Sequence, residues 1–180
     1  MNIRKAGTED ISRIAEILVF TKRMNYRSIF RDDKFSFGNL QVLSAAREYI
    51  NNPHLLDSIW VYDDEFVKGL IHIEGHCVKE LYVDCFFEGQ GIGGKLLEFA
   101  IENHAVTYLW VLKKNERAIA FMKDMVFSAK EYGAMKTERR KFFLKWNDNS
   151  PLPLFSALSK LTFLQYYNSR KVTFDVCFFI

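Results

Sequence analysis

Cys77-Val78-Lys79-Glu80-Leu81-Tyr82-Val83-Asp84, and after a short loop Glu88-Gly89-Gln90-Gly91-Ile92-Gly93-Gly94-Lys95-Leu96, decide how this chain folds. The first run has the β-branched and aromatic content of a strand. The second opens a helix whose apolar positions are Ile92, Leu96, Leu97, Ala100 and Ile101. Before them stand two further strands, Ile59–Tyr62 and Phe66–Glu74, separated by Asp63-Asp64-Glu65 and by Gly75-His76. Connections this short cannot hold a crossover helix, so the three strands must form an antiparallel meander. The glycine-rich loop therefore ends a meander.

Working outward, Asn2–Ala6 reads as a first strand. Thr8 reads as the N-cap of a helix carrying Ile11, Ile14, Ala15, Leu18 and Val19 at helical spacing. Residues 20–37 read as irregular, aromatic and basic, and the segment from Arg23 to Phe37 is expected to wall the acceptor pocket. A second helix is expected from about Asn39 until Asn51-Asn52-Pro53 stops it. Downstream come a strand over Thr107–Leu112, a helix from Asn115 to about Met125, and a last strand over Lys141–Trp146.

The 180 residues suit one sizeable core, and 49% hydrophobic with 26% charged residues is an ordinary globular balance. A net charge of +3 does not argue for nucleic acid. No apolar run is long enough for a membrane span, and the opening Met1-Asn2-Ile3-Arg4-Lys5 lacks a signal peptide's apolar segment. The three cysteines, Cys77, Cys85 and Cys177, form no Cys-x-x-Cys pair, which points to a reducing cytoplasm and away from a zinc site. No metal site is expected, and His72 and His76 read as ordinary hairpin residues.

Glycines at a strand-to-helix junction let backbone N–H groups approach a phosphate, aided by the helix N-terminus. Three patterns fit the loop. Gly89, Gly91 and Gly94 spell a dinucleotide fingerprint; Gly89, Gly94 and Lys95 spell most of a P-loop; Gln90–Gly94 reads as a pyrophosphate loop of an acetyltransferase. The P-loop needs a Mg²⁺-holding hydroxyl where Leu96 stands. The dinucleotide fingerprint needs a carboxylate at the end of the next strand, which instead runs Trp110-Val111-Leu112-Lys113-Lys114. A loop that merely turns the chain is the remaining alternative.

Glu80–Asp84, Gln90–Gly93 and Leu96-Leu97, with Leu109–Leu112 and Asn115-Glu116-Arg117-Ala118-Ile119-Ala120-Phe121 downstream, resemble the acetyl-CoA-binding core of the GNAT N-acetyltransferases. The resemblance covers roughly residues 2–147. It implies an α/β fold of the α+β type, with a mixed, mostly antiparallel sheet flanked by helices and splayed at the acetyl-CoA site. Residues 1–147 would form that domain, and 148–180 a C-terminal extension. The pantetheine arm would bond to backbone near Leu81 and Val83, and the pyrophosphate would sit on the amides of Gln90, Gly91, Ile92, Gly93 and Gly94. Lys95 would add a positive charge and Asn115 would face the arm or the acceptor. Arg117 would be either structural or at the cofactor rim.

The activity implied is direct transfer of acetyl from acetyl-CoA to a primary amine on a small molecule or peptide. An ammonium has no lone pair, so a base is required; Glu80 and Glu74 are the nearest candidates. A backbone N–H near Val83 would hold the oxyanion. Three positions depart from the family pattern: Glu88 stands for Gln or Arg, Met122 for the tyrosine after Phe121, and Val126 for a glycine. With Met122 no general acid stands in the usual place, and Tyr82 and Tyr132 are the tyrosines that could reach the sulfur instead. A second function stays open, an acetyl-CoA-binding sensor without turnover. The apolar tail, Phe155–Tyr167 and Val172–Ile180, needs cover, from the sheet or from a second subunit in a homodimer.

Overall fold

In a computed structural model, which describes residues 2–112, 114–125, 127–130 and 141–146, the meander forms as its short connections require. Strands β1 (Ile3–Lys5), β2 (Ile59–Asp64), β3 (Phe66–Glu74) and β4 (Cys77–Val83) pair antiparallel in that order. The bounds of β3 and β4 are those read from the sequence. Helix α3 (Ile92–His104) then carries the chain to β5 (Tyr108–Leu112), which lies parallel to β4. Helix α4 (Glu116–Asp124) leads to β6 (Phe127–Lys130) and β7 (Lys141–Trp146), and β7 pairs antiparallel with both β5 and β6. The sheet order is β1-β2-β3-β4-β5-β7-β6. Strand β6 was not anticipated. Val126, Tyr132 and the extension from residue 148 lie outside the described residues.

The sheet separates two apolar layers. On one face, Ile92, Leu96, Leu97, Ala100 and Ile101 of α3 pack with Ala118 and Met122 of α4 against Ile71, Leu81 and Leu109. On the other, Ile14, Ile17 and Leu18 of α1 (Ile11–Phe30) and Tyr49 of α2 (Val42–Asn51) pack against Ile59, Val61, Leu70 and Tyr82. Strand alternation produces this split, since Leu81 and Tyr82 are neighbours in sequence and enter opposite layers. Each fully buried leucine contributes roughly 1.5–3 kcal/mol relative to exposure.

Two N-terminal expectations are corrected. Helix α1 continues through the stretch read as irregular and ends where Arg31 turns left-handed (φ 51°), its N–H donating to the Arg27 carbonyl. The aromatic and basic residues fasten this long helix to the six-residue turn Lys34–Asn39. The Arg23 guanidinium donates to the carbonyls of Ser36 (3.0 Å) and Leu40 (2.5 Å) and stacks near Phe37. At the other end Asp10, not Thr8, stands at the N-cap of α1, without a side-chain cap bond. Its carboxylate reaches back to accept the Gly7 N–H at 2.8 Å and is held by Arg4 at 2.7 Å, bracing the turn that precedes α1. Among the described residues no helix is long and apolar enough to cross a membrane.

Candidate functional site

Strands β4 and β5 touch over two residue pairs only, Cys77↔Tyr108 and Val78↔Leu109, and then part. The parting coincides with a bulge. Val78 faces Ile73 and Glu80 faces His72, so Lys79 is the extra residue. A bulge bends its strand, here away from β5. The Asp84 N–H donates to the Lys68 carbonyl at 2.9 Å, which fixes the alternation along the β3–β4 ladder. Asp84, Tyr82 and Glu80 bond to β3. Leu81 and Val83, at the intervening positions, turn their N–H and C=O groups away from β3, toward the gap. On the rim of this gap Thr21 Oγ1 donates to the Val83 carbonyl at 3.4 Å.

The glycine loop closes one end of the gap. Gly91 is the N-cap of α3 at φ 76°, a conformation that side chains rarely adopt, and a Cβ there would point into open space. The first α-helical bond runs from the Lys95 N–H to the Gly91 carbonyl at 3.1 Å, so the N–H groups of Ile92, Gly93 and Gly94 have no acceptor within the helix. Gly93 is different. A Cβ there would sit 3.4 Å from the Phe121 ring and 3.6 Å from Val83, ordinary packing distances, so a methyl fits between α3, α4 and β4 and only a larger side chain would not. Bulk at Gly93 would therefore push on packing and would not project into the phosphate space.

Two further residues have partners within the protein. The Lys95 ammonium lies over the Tyr62 ring on β2, 3.4 Å from its hydroxyl, so in this conformation its charge is engaged there. Asn115 is buried and caps α4, its Oδ1 accepting the Ala118 N–H at 3.2 Å. That is a structural task of the helix end. Glu88 and Arg117 answer each other: the guanidinium meets the carboxylate at 2.6 Å, so the unexpected acid is neutralised and the loop is tied to α4. Gln90 is exposed on the loop.

The profile of the acetyltransferase (GNAT) family matches residues 25–127, more than half of the sequence. The chain belongs to that family. No curated protein matches it. Among solved structures it is similar to apo YjaB from Escherichia coli (18% identity, 80% of this chain and 95% of that one, TM-score 0.57). It is similar, too, to the PaiA N-acetyltransferase from Thermoplasma acidophilum in complex with coenzyme A (19%, 80% and 98%, TM-score 0.58). An N-acetyltransferase from Staphylococcus aureus Mu50 gives 17%, 80% and 99%, with a TM-score of 0.59. At these identities the likeness is one of fold, and the splayed GNAT sheet anticipated from the sequence is the fold observed. Family membership implies acyl transfer from acetyl-CoA.

On the opposite face of the GNAT sheet, a cavity of about 410 Å³ lies between α1, α2 and strands β2–β4. Leu18, Val19, Leu40, Ala45, Leu55 and Ile59 supply apolar wall; Lys22, His72, Glu74, Lys79 and Glu80 supply the polar end. Of α1, Leu18, Val19 and Lys22 line this cavity, together with α2, while residues of the Arg23–Phe37 stretch do not. Glu80, 14% exposed, is held by Lys22 at 3.1 Å, with the Tyr82 hydroxyl at 3.4 Å. Burial pushes its pKa up, but Lys22 and His72 outweigh that and leave the carboxyl below its usual range. A carboxylate so held is a weak base. Tyr82 is fully buried; burial and the neighbouring Glu80 push its phenol well up, so it holds its proton and makes a poor acid. Met122 is 0% exposed and sits in the α3–α4 layer. Glu74, half-exposed, pairs with Lys79 at 3.1 Å. Sequence reasoning missed Lys22 and His72, because only the fold brings them to Glu80.

Proposed function

We propose that this GNAT protein transfers the acetyl group of acetyl-CoA directly to a primary amine of a small molecule or peptide. One observation carries the reading. The outward-facing backbone of Leu81 and Val83 and the unbonded amides of Ile92, Gly93 and Gly94 border one gap, where Gly93 and Val83 are nearly in contact. That arrangement fits a ligand with an amide-bearing arm and an anionic end, as acetyl-CoA has. Leu81 and Val83 would hold the arm; Gln90, Gly91, Ile92, Gly93 and Gly94 would hold the pyrophosphate at the positive end of α3. Bound there, acetyl-CoA supplies an acyl carbon open to a nucleophile. The protein's part is to deliver a deprotonated amine and to offer a backbone N–H near Val83 to the developing oxyanion. The exposed cysteine Cys85 suits a reducing cytoplasm as its place of work.

The second reading, acetyl-CoA binding without turnover, is favoured by Met122, a thioether buried where the family resemblance puts a phenol. Calorimetry and an amine-panel transfer assay, run in parallel, separate the two readings. Wild type should bind acetyl-CoA and transfer slowly. Gly91→Val, which projects a β-branched side chain into the open space, should lower affinity at least ~10-fold by blocking the pyrophosphate, and its left-handed strain should cost about 1–2 kcal/mol of stability. Unchanged affinity in a folded Gly91→Val protein would remove the cofactor site. Binding without transfer to any amine would leave the sensor.

A further inference from the structure

Glu80 looks like the base by position, yet its surroundings argue otherwise. Lys22 engages Oε1 at 3.1 Å, and the Tyr82 hydroxyl adds a contact at 3.4 Å. Directly across the ladder stands His72, paired in register with Glu80 on β3. Its ring is 16% exposed and lines the same cavity. Nε2 is sealed from solvent and makes no hydrogen bond, with Glu74 Oε1 3.3 Å away. Nδ1 is turned to Glu80 Oε2 at 3.9 Å, too far for a hydrogen bond and close enough for a charge to be felt. The imidazole is thus flanked by two carboxylates at the wall of the cavity, with Nδ1 the ring nitrogen on the Glu80 side.

We propose that His72 takes the proton from the acceptor amine at Nδ1, and that Glu80 steadies the resulting imidazolium instead of serving as the base. This rests on the amine-acetyltransferase reading and names the residue that activates the amine. The ammonium gives one proton to Nδ1. The freed lone pair forms the C–N bond to the acetyl carbon as the C–S bond breaks; the sulfur leaves with the bonding pair and takes up the second amine proton. Imidazole is suited to this exchange near neutral pH, where an alkylammonium with a pKa around 10 does not lose its proton unaided. The charged or titratable groups facing the imidazole are Glu74 on its own strand, Lys79 and Glu80 on β4, Lys22 on α1, and Glu48 and Tyr49 on α2. Lys22 pairs with Glu80 and Lys79 with Glu74, which leaves Glu80 Oε2 as the carboxylate oxygen nearest Nδ1.

The test uses the full chain, acetyl-CoA, and whichever of phenethylamine, spermidine and a lysine peptide the wild type acetylates best. For His72→Asn, kcat/KM at pH 7 should fall ~10²-fold or more, the usual worth of a general base, while acetyl-CoA affinity is unchanged. The deficit should shrink as pH rises toward the amine's own pKa, and added imidazole should partly restore His72→Ala. Glu80→Gln should lose less than His72→Asn. In acetyl-CoA-free protein, adding the amine should shift the His72 ring resonances by NMR and leave those of His104 in place. If wild type transfers and His72→Asn equals it at pH 7, or the deficit ignores pH and imidazole, the proposal falls and the transferase reading stands. If wild type transfers to none of the three, both fall.

Discussion

The two sides of β4 are built from different materials. Toward the gap the site consists of backbone: the outward groups of Leu81 and Val83, and amides freed by a helix start at Gly91. Toward α1 and α2 it consists of side chains, Lys22, His72 and Glu80, contributed by three elements. A backbone site tolerates side-chain change but no change in conformation. A side-chain site has the opposite sensitivity. This molecule should therefore keep its acetyl-CoA affinity through substitutions that ruin its handling of the acceptor, and the reverse should be rare.

The strongest challenge to that contrast is Lys22→Met. Both partners of the Lys22–Glu80 pair are nearly buried, at 13% and 14% exposure, so removing the cation leaves a nearly buried carboxylate without its counter-charge. Losses from breaking such pairs run about 3–5 kcal/mol, measurable by urea unfolding, while calorimetry should show acetyl-CoA affinity within a few-fold if the protein remains folded. The pH dependence has a definite sign. Glu80 is depressed in the folded state, so its contribution is present above the unfolded value, about 4.3, and is lost as pH falls through the folded one. Wild type should lose stability in that acid range; Lys22→Met should lose less of it, having less to lose.

Met122→Tyr sharpens the comparison from the other side. The site is fully buried, so a larger side chain with a hydroxyl should cost roughly 1–3 kcal/mol of stability by thermal or urea melting. If the phenol can serve the departing sulfur, kcat should nevertheless rise, with acetyl-CoA affinity little altered. A destabilised variant with no gain in kcat would show that the missing acid is not what limits this protein.

The smallest effect is expected at Arg117→Ala. The pair with Glu88 is short, but Arg117 is 67% exposed, and such pairs contribute within about 1 kcal/mol. Melting should barely move. A modest fall in acetyl-CoA affinity would come from the unpaired Glu88 carboxylate beside the loop, and Glu88→Gln in the same background should reverse it. Failure of that reversal would assign Arg117 to the helix alone.

These contrasts also explain what could be read before folding. Glycine at positive φ and an abrupt change from period two to helical spacing are written locally, so β3, β4 and the start of α3 were legible from the chain. Helix α1 was not legible beyond Val19, because Lys22 takes the next position on its inner face while Phe20 and Met24 put apolar side chains on the exposed one, which blurs the apolar stripe that marks a helix. Asn115 and Lys95 were read from their place in a pattern, which could not show that Asn115 caps α4 or that Lys95 lies over Tyr62. His72 carried no signal at all. Its interest comes from register with Glu80 and from α1 crossing overhead, neither of which leaves a mark in sequence spacing.

The two-pair contact between β4 and β5 has a consequence for hydrogen exchange. Most amides in the middle of a sheet are locked by a ladder partner and exchange only when the sheet opens. Those of Leu81 and Val83 have no such partner, although the Leu81 side chain is wholly buried. They should exchange in deuterium oxide far faster than those of Tyr82 and Glu80 on either side. If acetyl-CoA binds as proposed, its arm takes the place of the missing strand, and slow exchange should appear at these two alternate residues while their neighbours stay as they were.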